Sequence, residues 1–405
     1  MGAKTGIEWT DSTWSPIRVR VRADAGAIAR AKGYTSLIQI AEKMAGRVGQ
    51  HCEHVSPGCA HCYAGTNNHR CLPGNGTGLP YDRRSRDLVA AFVDEKVLLA
   101  PLKWGAVQAH SEACELAWET LGGLRERRPK CGCSSRPRRI FVQNQSDLFG
   151  EWVSDELLDQ VFAAMALCPQ HIFQVLTKRP ARMLAYFTGD RATLYERWLR
   201  CSGTIDPQCR TAGSQLLERL SERTRPLENI WLGVSVENQA AADVRIPLLL
   251  QTPTAVRFLS CEPLLGPVEF RPSWVNPTRQ NDNPLGWVIA GGESGPGARP
   301  MHPDWARSLR DQCQTAGVPF FFKQHGEWEP IQSPLVNPRA CSEGLRENDV
   351  VRGRRQCLKT DGTHFDRVLL EEVPEGAQWV ERVGKHAAGA LLDGREWREF
   401  PEVRA

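Results

Sequence analysis

Three cysteines and three histidines fall within fifteen residues, HCEHVSPGCAHCYAG at 51–65. Cys52, Cys59 and Cys62 stand at C-x6-C-x2-C around a turn-forming Ser56-Pro57-Gly58. Thiolates and imidazoles at such spacing are ligands for soft or borderline metals. One reading is a closed tetrahedral zinc site, with Cys71 or one of His51, His54, His61 and His69 as the fourth ligand. The other is a [4Fe–4S] cluster on three thiolates, its fourth iron open to a small molecule such as S-adenosylmethionine (SAM). Free loop thiols are the bland alternative, but packing gives little reason to gather three on a polar loop. Cys114, Cys131 and Cys133 with His110 make a second candidate metal set, of less usual C-x-C spacing.

Polar residues recur at the ends of short apolar runs. Asn144, Ser146 and Asp147 follow RRIFV; Lys178 and Arg179 follow HIFQVLT; Ser235, Glu237 and Asn238 follow IWLGV. Cys261 and Glu262 end VRFLS, Glu293 and Ser294 follow WVIAGG, and Lys323 and Gln324 follow VPFFF. Lys178 and Arg179 suit a phosphate or carboxylate, or a solvated basic rim. Arg299 adds a cation to GGESGPGARP (291–300), whose glycines allow close backbone approach to a ligand. No GxxxxGK[ST] or GxGxxG pattern occurs, so nucleotide triphosphate binding has little support.

The elements that must position these residues are legible as alternation. The β-branched and aromatic runs suit strands buried on both faces of a parallel sheet. Helical spacing in DELLDQVFAAMAL (155–167) and DWARSLRDQCQTAG (304–317) places helices between them. The expected fold is α/β, a partial or complete (β/α) barrel, with the polar ends forming a shared mouth on its C-terminal face. A first strand is expected within IEWTDSTWSPIRV (7–19), which puts the cysteine loop on that same face. A catalytic cluster needs that position and a structural zinc does not, which favours the cluster. Residues 1–328 read as the barrel, with insertions at about 17–50, 104–137 and 188–228. Residues 329–405 read as a C-terminal extension packing on it, its tail (380–400) a hairpin or helix.

Composition sets outer bounds. The 405 residues are 41% hydrophobic and 24% charged, which permits a sizeable core. No apolar run reaches membrane-spanning length and no signal-peptide stretch opens the chain, so a cytoplasmic protein without membrane association is expected. Fourteen cysteines then read as reduced thiols or metal ligands, not a disulfide frame. A net charge of +4 permits an anionic substrate without arguing for one.

Taken together, these stretches resemble a phage-associated family of mostly uncharacterised proteins related to the radical SAM enzymes. The resemblance rests on TGIEWTDSTWSPIR, HCEHVSPGCAHCYA, IFVQNQSDLFGEWV, FQVLTKRPARM, IWLGVSVENQ, RFLSCEPLLGPV, WVIAGGESGPGARPMHPDWARSLRDQC and VPFFFKQHGEW, in that order from residue 5 to about 328. It implies a [4Fe–4S] cluster on Cys52, Cys59 and Cys62, SAM as cofactor, and an external electron donor of flavodoxin or ferredoxin type. It also implies SAM contacts, for which Asn144, Ser146 and Asp147 are candidates at the methionine end and Ser235, Glu237 and Asn238 at the ribose. Turn and cap roles are the alternatives for both sets. Cys261 and Glu293 are the catalytic candidates, Cys261 as a hydrogen-atom donor or else an inert buried thiol. Lys178, Arg179 and Arg299 are the substrate-binding candidates, and a nucleotide or modified DNA base is the substrate class first expected. Two features depart from the common radical SAM pattern. The first cysteine gap is six residues instead of three, and Asn144–Asp147 stand where a Gly-Gly-Glu-like element is usual. The competing function is a zinc-stabilised nucleic-acid-binding protein without enzymatic activity.

Overall fold

The computed structural model describes residues 3–70, 76–105, 107–108, 135–189, 191–205, 226–278, 282–331, 355–365 and 375–402. The chain opens with β1 (Ala3–Lys4) and β2 (Ser12–Trp14), then departs into β3 (Ile17–Val21), β4 (Val48–Gly49) and β5 (Val89–Val93). A two-stranded pair, β6 (Val107–Gln108) and β7 (Ser135–Arg136), leads back into the main sheet. That sheet continues through β8 (Arg138–Val142), β9 (His171–Thr177), β10 (Ile230–Ser235), β11 (Val256–Cys261), β12 (Trp287–Gly291) and β13 (Phe320–Gln324). Its order is β1-β2-β8-β9-β10-β11-β12-β13, with β1 antiparallel and the seven others parallel. Helices fill the crossovers, among them Asp155–Ala166, Pro180–Thr188, Gln239–Gln251 and Pro303–Ala316. The last ends on Gly317 in the left-handed region (φ 66°), as its sequence predicts.

The sheet is curled into a half-barrel. Trp9, just before β2, lies 4.7 Å from the Phe141 ring and 6.2 Å from that of Trp287 on β12. Its indole N–H donates to Glu262, just after β11. The concave side is filled by Trp9, Ile172, Trp231, Phe258, Trp287, Ile289 and Phe321, and the alternate residues pack against the helices. Gly233 is required there, because a Cβ would come within 2.6 Å of the Phe258 ring.

A first strand of the parallel sheet does fall within 7–19, as β2, but Ile17–Val19 do not belong to it. Pro16 has no N–H to continue a ladder, so the chain turns out of the sheet after Trp14. The Gln143 side chain replaces the ladder by bonding both the N–H and the carbonyl of Ile17. Ile17–Val21 then pairs antiparallel with β4 and β5, in a three-stranded sheet covered by α1 (Ala25–Ala31) and α2 (Ile38–Lys43).

Beyond the barrel, β14 (Trp328–Ile331), β15 (Arg355–Lys359), β16 (His364–Phe365) and β17 (Ala377–Arg382) form an antiparallel sheet ordered β14-β17-β15-β16. The tail is neither a simple hairpin nor one helix. After a single turn, Lys385–Ala388, it runs along β13, where Phe322 N–H donates to Trp397 O and Glu399 N–H to Phe320 O. Phe400 ends it against Trp287 and Phe321. Among the described residues no helix is long and apolar enough to cross a membrane.

Candidate functional site

A cavity of about 530 Å³ lies at the C-terminal ends of the parallel strands. One wall is the cysteine loop, where a 3₁₀ turn, Pro57–Cys59, leads to Cys62 at the N-cap of α3 (Tyr63–His69). Cys52, Cys59 and Cys62 all line the cavity, and none is in a disulfide. Burial, and after it the neighbouring Asp147, pushes the Cys52 thiol up to about 12. A metal that takes this sulfur must displace its proton.

The loop is braced from four strands. Beyond β10, the Glu237 carboxylate accepts from Ser56 Oγ (2.6 Å), lies 3.4 Å from Lys178 Nζ and bonds Arg245 (2.9 Å). Burial raises the Glu237 carboxyl, but Lys178, Arg245 and the Ser56 hydroxyl outweigh it and hold it below the ordinary value. Gly58 lies so close that a Cβ would meet Glu237 Cγ at 2.6 Å. Beyond β12, Glu293 takes two bonds from the Arg299 guanidinium, whose Nη2 also donates to Pro57 O (3.0 Å). His61 Nδ1 is 3.7 Å from the same carboxylate. Beyond β8, Ser146 bonds His51 O and Tyr63 bonds Asn144 O. Beyond β9, Arg179 bridges Asp147 (3.2 Å) and Glu53 (3.3 Å).

Of the residues expected from sequence, Asn144, Ser146, Asp147, Lys178, Arg179, Ser235 and Glu293 line the cavity with the three cysteines. Four others do not: Cys261 and Asn238 sit as the inert thiol and the helix cap that were the alternatives for them, and Glu237 and Arg299 brace the loop. Cys261 is fully buried in the core between sheet and helices, where burial pushes its thiol well up. It faces away from the mouth because Ser260 and Glu262 occupy the alternate, concave positions. Asn238 caps helix Gln239–Gln251 by accepting from Ala241 N–H (3.0 Å). Glu237 and Arg299 are spent on the cysteine loop instead of pointing at a ligand. The second metal set, Cys114, Cys131, Cys133 and His110, lies outside the described residues, as does Cys71.

Sequence reasoning did not single out Trp9, Ser260, Glu262 and Lys323 as a site. They meet in the floor of the same cavity, at the ends of β11 and β13: Glu262 accepts from Trp9 (3.2 Å) and Ser260 (3.3 Å) and pairs with Lys323 at 3.0 Å. Glu262 and Lys323 were visible as strand ends, but nothing local marked their pairing.

Three unpaired sulfurs on one cavity wall are a donor set fitted to an iron–sulfur group or a soft metal. Among the described residues no three His, Cys, Asp or Glu side chains are drawn together as a single-ion ligand set. His51 is buried edge-on to Trp152 (4.6 Å), and burial lowers its ring to about 3, which keeps it neutral. His61 is engaged with Glu293, so two of the nearby histidines serve the loop's surroundings.

Residues 37–401 match a family described as protein of unknown function, DUF5131. No curated protein and no solved structure matches the chain.

Proposed function

The chain belongs to the DUF5131 family, whose description carries no activity, and from the site itself we propose a radical SAM-type enzyme. The observation that carries this reading is the opening of all three C-x6-C-x2-C thiols into a cavity at the C-terminal ends of parallel strands. Cys52, Cys59 and Cys62 would hold a [4Fe–4S] cluster. When bound, the cluster and SAM supply one-electron cleavage of a sulfonium and so a carbon radical, fed by a flavodoxin- or ferredoxin-type donor.

The chain's own residues divide the remaining work. Asp147 accepts from Thr177 and from the Lys178 N–H, and it fixes Arg179. Its role is therefore to order the end of β9, from which Lys178 and Arg179, offset by Glu237, Glu53 and Asp147 itself, line the cavity as the groups that would meet a carboxylate or phosphate. Ser235, Ser294 and the amide of Asn144 offer neutral hydrogen bonds along the cavity. The Trp9–Glu262–Lys323 group presents an ion pair, fixed by the Trp9 indole, to the substrate. A nucleotide or modified DNA base is the substrate class we propose, and the cytoplasm its setting.

Anaerobic purification with iron, sulfide and zinc analysis tests the reading. Iron with matching sulfide, and release of 5′-deoxyadenosine from SAM under dithionite, are expected. Cys59→Ala should lose both. Zinc without iron after attempted reconstitution would sink the proposal in favour of a zinc-stabilised nucleic-acid-binding protein, for which the Cys59–Cys62 pair at the start of α3 speaks. S-adenosylhomocysteine as the product would turn it into a methyl transferase.

A further inference from the structure

Residues 17–93 carry eleven Lys and Arg against five Asp and Glu, a net charge of +6 in a chain whose total is +4. The whole positive excess therefore sits in the module built on β3, β4 and β5, and the rest of the chain is slightly acidic. On β3 the sequence Arg18-Val19-Arg20-Val21-Arg22 alternates, so the valines enter the core and the arginines share the outer face. Successive arginines along such a strand are roughly 7 Å apart. Phe92 of β5 lies directly across from Arg18, and the Arg20 guanidinium sits over its ring at 5.6 Å. Among the described residues neither Arg20 nor Arg22 has a carboxylate partner.

This face runs into a groove of about 530 Å³ lined by Arg22, Lys32, Arg86 and Trp152, with Asp87 as its one carboxylate. The groove and the cysteine-lined cavity share a wall. Arg86 pairs with Glu53, which lines the cavity, and Trp152 packs against Arg179 at 5.0 Å.

We propose that this arginine-striped sheet face and groove bind a single-stranded polynucleotide, backbone on the arginines and bases on the aromatic rings, and lead it to the mouth. Cations at alternate strand positions with an aromatic ring beside them on the sheet, Phe92, and another in the groove, Trp152, are what an unpaired strand requires. A base must also leave its duplex stack to enter a cavity of this kind. The inference rests on the nucleotide part of the proposed function and not on the cofactor.

The test is fluorescence anisotropy of the full chain with labelled oligo-dT and oligo-U across a salt series. Binding at low salt is expected, weaker by about tenfold or more in Arg20→Ala/Arg22→Ala. The slope of log affinity against log salt should become shallower by about 1.4, at roughly 0.7 per lost phosphate contact. Arg271→Ala, an exposed arginine outside the module, should change neither. Arg20→Glu alone, at an exposed position, serves if the double variant melts early. No binding by the wild type, an unchanged slope in the variants, or tighter binding of a duplex would overturn the proposal. The assay reads no iron, so its failure leaves the cluster reading standing, and an iron-free preparation that still binds leaves this one standing.

Discussion

Glu237 shows how one side chain sets a whole loop. It is 1% exposed, yet it meets Ser56, Lys178 and Arg245. Glu237→Gln keeps the volume and removes the charge, leaving Arg245 buried without its counter-ion. A loss of about 3 kcal/mol is expected by chemical denaturation, with faster amide exchange confined to residues 56–62. Normal exchange there would mean the brace is unimportant. Nothing in the sequence reveals this role, since Ser56 is 181 positions away. A carboxylate at a strand end reads equally well as ligand, cap or strut until its partner is known. Cys261 was opaque for a different reason: with both faces of its strand buried, periodicity carries no orientation.

At the level of elements, the six later strands were legible because their runs are dense in β-branched and aromatic residues between polar loops. The shared mouth followed from that alternation. The first strand was legible only as a stretch within 7–19, because the three residues of β2 carry too little pattern to fix its bounds. Its attachment relies on Asp11, which accepts from both Arg136 Nη atoms (2.7 and 2.8 Å) and from Arg139 N–H (2.8 Å). Burial raises the Asp11 carboxyl, but these bonds and the two guanidinium charges outweigh it and hold it below the ordinary 3.8. A depressed carboxyl contributes stability above its unfolded value and loses it as pH falls through the folded one. Asp11→Asn should therefore cost about 1–3 kcal/mol at neutral pH. That deficit should begin to shrink as pH falls past the ordinary value and vanish only below the folded one. Equal deficits at pH 7 and pH 3 would show that geometry, not charge, ties β2 to β8.

Across the whole molecule, the C-terminal tail finishes what the half-barrel leaves open. Trp397 and Glu399 take up hydrogen bonds on the free edge of β13, and Phe400 covers two rings of the concave core. A chain ending at Leu391 exposes that edge together with Trp287 and Phe321. Such an edge pairs with other chains, so the truncated protein should elute as oligomers or precipitate; a well-behaved monomer would refute this. The cysteine loop presents the complementary case, because its braces are carboxylates, guanidinium groups and backbone carbonyls, not its own sulfurs. The shape of the loop is therefore set by Glu237, Glu293, Arg299 and Ser146, from strands far apart in the sequence, and Cys59→Ala should leave the fold of that loop in place.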